Sequence, residues 1–199
     1  MKHALVTSLA AWVAVDSRLP SSFYLASDSR ISFDGRPPFD AARKLFASSQ
    51  YPDLFAYCGA VDFPFPVLEQ ALKQIDSGRL FSRDDGATAR NQKFEALLKS
   101  LTYPLKKGGF TVLHAARDGE GMNVTFFLWS IEWAAEKGWF NEPLDLPIES
   151  ALVLSAGSGG TVIREHNRKW RELLPRTSRS VFSAFCDALE SEFAGRTSD

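Results

Sequence analysis

The sequence predicts an α+β fold built as a four-layer αββα sandwich, two β-sheets face to face with a pair of helices outside each. Three observations predict it. Apolar residues recur in the order strands, two helices, strands, two helices. Each predicted helix gathers its apolar residues on one face, which needs a sheet to cover it. At 199 residues the chain fits a single domain, residues 1–199, with enough core to fold without disulfide staples.

Taken in order, apolar runs predict strands over 5–15, 22–27, 44–49 and 53–58, with a loop over 16–22. Met1-Lys2-His3 ahead of the run Ala4 to Val15 has the outline of a secretory signal. Thr7, Ser8 and Trp12 interrupt that run and no small-x-small cleavage site follows, so a buried first strand is the more economical reading. After Gly59 the period changes. Val67, Leu68, Ala71, Leu72 and Ile75 share one helical face, with Pro66 near the start and Gly78 suited to a C-terminal cap. A polar break at Ser82 to Gly86 precedes a second helix striped by Phe94, Leu97, Leu98 and Leu101. Strands return over Phe110 to Ala116 and Asn123 to Trp133, around a hairpin turn predicted at Arg117-Asp118-Gly119-Glu120-Gly121. The tryptophan-rich stretch Trp129 to Trp139 is expected to fill a core or a subunit contact. Ala151 to Ser155 forms a further strand entering Ala156-Gly157-Ser158-Gly159-Gly160. Two helical patterns finish the chain, around Val162, Ile163, His166 and Trp170 and around Phe182, Phe185, Leu189 and Phe193.

Composition narrows the chemistry. Lys plus Arg number 23 against 24 Asp plus Glu, a net charge of -1 that gives no electrostatic reason to expect nucleic acid or an acidic membrane surface. Cys58 and Cys186 are too few for a disulfide framework and stand in no metal-ligand spacing with His3, His114 and His166. No metal, no cofactor and a reducing, cytoplasmic setting are therefore expected. No run approaches the ~18–20 apolar residues of a membrane span. A small or peptidic partner fits best.

The most informative motif is Ala26-Ser27-Asp28-Ser29-Arg30, followed sixteen residues after Asp28 by Lys44 in Arg43-Lys44-Leu45-Phe46. Both charges stand at the ends of short apolar strands, where a carboxylate can hold a buried amine charged. On these residues, with Thr7 in the first strand, Gly59 ending the fourth and Gly157-Ser158-Gly159 before the third helix, the chain resembles the proteasome β-subunit branch of the N-terminal nucleophile hydrolases, the bacterial proteasome-like subunits included. The resemblance covers nearly the whole chain. It implies a threonine-type hydrolase of amide, above all peptide, bonds. Thr7 would be nucleophile and carry its own base in its α-amine. Lys44 would lower the hydroxyl's proton affinity, Asp28 would orient Lys44, the Gly59 N–H would stabilise the oxyanion, and Ser158 would hydrogen-bond around the amine. Arg30 is expected to be a structural ion-pair member, and Cys58 a small core residue rather than a nucleophile. The glycine loop lacks the Gly-Lys-Ser/Thr and dinucleotide spacings of nucleotide sites.

Two departures shape the expectation. Thr7 is preceded by Val6 and five further residues, so a free amine requires either cleavage of Val6-Thr7, with 1–6 a propeptide, or a true start at position 6. Ser8 is the alternative nucleophile. Family members also continue past the fourth helix into closing strands, whereas this chain stops at Thr197-Ser198-Asp199, so those strands are expected to be lacking and a sheet edge left bare. Asp199 falls near where the family carries a site aspartate. The partners implied are a peptide or protein substrate, further copies of the chain in a homo-oligomer, commonly a ring, and an unfoldase of unknown identity. A catalytically silent scaffold or assembly subunit, and an amidase for small molecules, are the other readings of the same motifs.

Overall fold

The computed structural model describes residues 7–17, 19–33, 36–101, 108–173 and 176–194. Its elements run β1 (Leu9–Asp16), β2 (Leu19–Ser27), β3 (Ile31–Phe33), β4 (Arg36–Phe39), β5 (Leu45–Ala47) and β6 (Asp53–Gly59), then α1 (Pro64–Asp76) and α2 (Ala87–Ser100). There follow β7 (Gly109–Glu120), β8 (Asn123–Ala134), β9 (Gly138–Pro143), β10 (Ala151–Ala156), α3 (Gly160–Leu173) and α4 (Ser178–Ala194). The order of strands and helix pairs is the expected one. The chain forms two compact units, Met1–Ala42 with Leu146–Asp199, and Arg43–Asp145.

In the first unit an antiparallel sheet runs β10-β1-β2. The continuous apolar run of β1 explains its central place, since Leu9, Ala11 and Val13 alternate with Ala10 and Trp12 and all are buried. Ala10 and Trp12 pack against Ile163 of α3 and Val181, Phe185 and Ala188 of α4. The indole N–H of Trp12 donates to Ser178 Oγ at 2.8 Å, which satisfies the polar end of a buried ring. The expected loop over 16–22 is mostly strand. Asp16 pairs with Leu19 and Val15 with Pro20, with an irregularity in register between Ala14 and Val15. Pro20 and the serines after it read as loop by composition, but at the outer strand of the described sheet a missing N–H breaks no ladder. The β3–β4 hairpin, with Pro37 and Pro38, has too little periodicity to be read as strand.

In the second unit β5 to β9 form an antiparallel meander in chain order. One face carries Phe55, Tyr57, Phe110, Val112 and Ile131 against Val67, Leu68, Ala71 and Ile75 of α1 and Phe94 and Leu98 of α2. Each large apolar side chain buried there contributes about 1.5–3 kcal/mol. The tryptophan segment packs in this core, Trp133 on Phe110 with ring centroids 5.9 Å apart and Trp139 on Phe63 at 6.0 Å. The hairpin turn lies beyond its expected place. Residues 117–120 stay in β7 and only Gly121-Met122 turns, because Glu120 still pairs with Asn123.

A buried polar network that the sequence did not announce ties this sheet to α2. His114 Nε2 lies 2.7 Å from Asp53 Oδ1 and His114 Nδ1 lies 3.0 Å from Asn91 Oδ1. Arg90 pairs with Asp53 at 2.9 Å and donates to the Asp85 and Arg117 carbonyls. Asp118 caps α2 by accepting the Ala87 N–H at 2.8 Å, a service that Gly86 at the N-cap has no side chain to perform. Because Arg90 already neutralises Asp53, a second cation is not needed, and burial pushes His114 below its ordinary pKa of 6.5. Among the described residues no helix is long and apolar enough to cross a membrane, and no three His, Cys, Asp or Glu are grouped to hold a metal.

A depressed histidine pKa favours the fold at high pH and penalises it as the unfolded chain begins to bind the extra proton. Stability should therefore be level above about pH 6.5 and fall below it, by at most ~1.4 kcal/mol per pH unit from this residue. Urea midpoints between pH 8 and pH 5 test this, and His114→Gln should flatten the slope whatever it does to absolute stability.

Candidate active site

The sequence-predicted residues fall in both units. Thr7, Ser8, Asp28 and Ser158 belong to the first, Lys44 and Gly59 to the second, and Asp199 lies outside the described residues.

In the first unit the start of β1 is held from two sides. The backbone N–H of Thr7 donates to Ser158 Oγ at 2.9 Å, and the Gly159 N–H donates to the Thr7 carbonyl at 3.1 Å. One residue on, the Ser8 N–H donates to Asp28 Oδ1 at 2.7 Å and the Asp28 N–H returns to the Ser8 carbonyl at 3.0 Å. The register places this pair where it must be, since Leu9 faces Ser27 and the next step along both strands is Ser8 opposite Asp28. The other carboxylate oxygen of Asp28 accepts the Arg30 N–H at 3.1 Å. Arg30 itself forks onto Asp40, Nη2 to Oδ2 at 2.9 Å, and is the structural ion-pair member expected.

The Gly-Ser-Gly loop has a steric explanation. A Cβ on Gly157 would lie 2.1 Å from the Thr7 carbonyl oxygen, and φ there is +79°. On Gly159 it would lie 2.0 Å from Ser8 Oγ and 2.5 Å from Glu192 Oε1. Only glycines let the loop close over the first strand. The Gly159 N–H is committed to Thr7 and the Gly160 N–H to the Gly157 carbonyl, so these two are not offered to a phosphate.

Glu192 is the residue that sequence reasoning missed. Its Oε2 accepts from Ser8 Oγ at 3.1 Å. A signal was present: Glu192 continues the apolar face of Val181, Ala184, Phe185 and Ala188 on α4, where a carboxylate is out of place unless it has a partner. The two candidate nucleophiles differ sharply. Ser8 is fully buried, with hydroxyl and N–H both engaged, whereas Thr7, just ahead of the strand, is half-buried.

In the second unit Lys44 precedes β5 and is buried, 3% exposed. Its carbonyl accepts the Tyr57 N–H at 3.3 Å. Gly59 ends β6 with φ +93°, and a Cβ would meet the Gly109 carbonyl oxygen at 2.5 Å, so the tight pairing of β6 with β7 is itself a reason for glycine. Cys58 is buried, and burial pushes its thiol up to about 11, against a hydrogen bond from Thr111 and the charge of Lys44.

No protein-family model and no curated protein matches the chain. Among solved structures the chain is similar to that of eukaryotic HslV from Trypanosoma brucei, at 13% identity and a TM-score of 0.50, over 90% of this chain and 89% of that one. The fold is proteasome-like. It is the αββα class expected from the order of elements, and at this identity the likeness carries the fold alone. Within the proteasome-like fold, the loop at Gly157-Ser158-Gly159 and the start of β1 form one unit of structure.

Gly157→Ala should accordingly cost stability by about 1–3 kcal/mol, from a strained positive φ and a displaced Thr7 carbonyl. A denaturant midpoint measures the loss. Ser158→Ala, which removes the acceptor of the Thr7 N–H, should cost about 0.5–1.5 kcal/mol.

Proposed function

We propose that the chain is a threonine-type N-terminal nucleophile hydrolase of peptide bonds, of the bacterial proteasome-like kind, working as a single cytoplasmic domain within a homo-oligomer. The observation that carries the reading is the Thr7 backbone nitrogen, 2.9 Å from Ser158 Oγ on a half-buried residue just ahead of β1. A peptide nitrogen is not a base, because its lone pair is shared with the carbonyl. Once residue 7 is the terminus, the same nitrogen is an amine, and Ser158 is placed to orient it. The amine takes the Thr7 hydroxyl proton as Oγ1 attacks the substrate carbonyl, then delivers it to the departing amine. Water hydrolyses the resulting ester and restores the threonine.

Thr7 is favoured over Ser8 because a nucleophile must be reached by its substrate, and Ser8 is sealed between Asp28 and Glu192. Lys44 and Gly59 enter through the family resemblance, as the cation that lowers the hydroxyl's proton affinity and as the oxyanion donor.

N-terminal sequencing of protein made from its natural gene is the first test, and Thr7 is expected at the terminus. Thr7→Ala and Lys44→Ala should each lower peptide hydrolysis by at least ~10³-fold with the fold intact, while Ser8→Ala should keep most of it. A terminus at Met1 with the first six residues in place would make the chain a silent scaffold of the same fold. Loss in Ser8→Ala with activity kept in Thr7→Ala would move the nucleophile by one residue.

A further inference from the structure

Arg164, Arg168 and Arg171 are spaced four and three apart on α3 and so share one face, an arrangement in which like charges repel by about 0.2–0.5 kcal/mol per pair. With Asn167, Glu172 and Arg176 they line a pocket of about 380 Å³. Four guanidiniums face one lining carboxylate. Arg164 is held by neutral partners, Ser155 and Thr161, and has no carboxylate partner among the described residues. Arg176 pairs with Glu149, but both side chains are about half exposed, at 49% and 50%, and such a pair is weak. For Arg168 and Arg171 no carboxylate partner occurs among the described residues. Asn167, also lining the pocket, is 8% exposed, and its Oδ1 has no hydrogen-bond partner among the described residues. That oxygen is an acceptor and lacks a donor, which a protonated phosphate oxygen or a bridging water would supply and a bare phosphate oxygen would not.

The helix dipole accounts for Arg171 in the last turn of α3 but not for Arg168 before it or for Arg164, which sits near its start. We propose that this pocket binds a small phosphate-bearing polyanion. Guanidinium forks grip phosphate oxygens in pairs, and the volume is at the lower end of small-ligand sites. An acidic peptide fits less well. Its same-side carboxylates are about 7 Å apart along an extended chain, which calls for a groove rather than a pocket of this size.

Calorimetric titration of the full chain with inorganic tripolyphosphate tests the site without reference to hydrolysis, so its outcome is separate from that of the hydrolase reading. Tripolyphosphate should bind at least tenfold more tightly than orthophosphate or a hexaglutamate peptide. Arg168→Ala with Arg171→Ala should weaken it at least tenfold, as should Asn167→Asp, which adds a negative charge at the pocket with little change of shape. Lys169→Ala, on the same helix outside the pocket, should change it less than twofold. Thermal melting of each variant separates lost binding from lost folding. Absence of binding at millimolar tripolyphosphate, or equal weakening by Lys169→Ala, would overturn the proposal. Tighter binding of hexaglutamate would also overturn it and assign the face to an acidic protein segment.

Discussion

The close approach of the Gly157-Ser158-Gly159 loop to the first strand is the constraint on which the first unit depends. Thr7 can be positioned by Ser158 only because Gly157 lets the loop come within hydrogen-bond range of the Thr7 carbonyl. Ser8 can meet Glu192 only because Gly159 leaves the space. A loop with side chains at those positions would be pushed off, and the start of β1 would lose its donors and acceptors together. The motif is thus a steric requirement before it is a chemical one, and the chemistry follows from what the sterics bring close.

The second unit solves a different problem. Its sheet and α2 are joined through ionised groups taken almost wholly out of water, Asp53 and Arg90, with His114 between Asp53 and Asn91. Such a cluster stands only when each member is satisfied, since a single unpaired charge there would cost several kcal/mol. Stacking of Phe55 on His114, with centroids 4.6 Å apart, and the approach of Phe94 keep water away from the imidazole, the burial that lowers its pKa. The specificity of the α2 contact lies in this network as much as in the apolar core around it.

Much of this was legible in the residues. Period-two and period-3.6 patterns are direct records of burial, which is why β1, β6, α1 and α4 could be read from them. Asp28 is a clear case. Its strand-end position follows from the apolar run Phe23-Tyr24-Leu25, and its bond to Ser8 then follows from register. What escaped is what pattern does not encode. The strand character of Leu19 to Ser22 depends on a register irregularity and an outer position, and β9 is too short and mixed to show a period. The Asp53–His114–Arg90 network joins residues up to 61 apart in sequence, for which no local signal exists. Glu192 was visible only as a carboxylate on an apolar stripe.

If the chain is the hydrolase proposed, the difference between an active and a silent form lies at Thr7. With Val6 attached, its nitrogen donates one hydrogen to Ser158 and has no basic lone pair. On the proposed reading, removal of Val6 would turn that nitrogen into an amine beside the Thr7 hydroxyl. The contacts of Ser8, Asp28, Glu192 and the glycine loop are made by residues 7 onward. On the proposed reading, assembly of the strand end and activation of Thr7 are separable, the first resting on the contacts of residues 7 onward and the second on a single covalent bond.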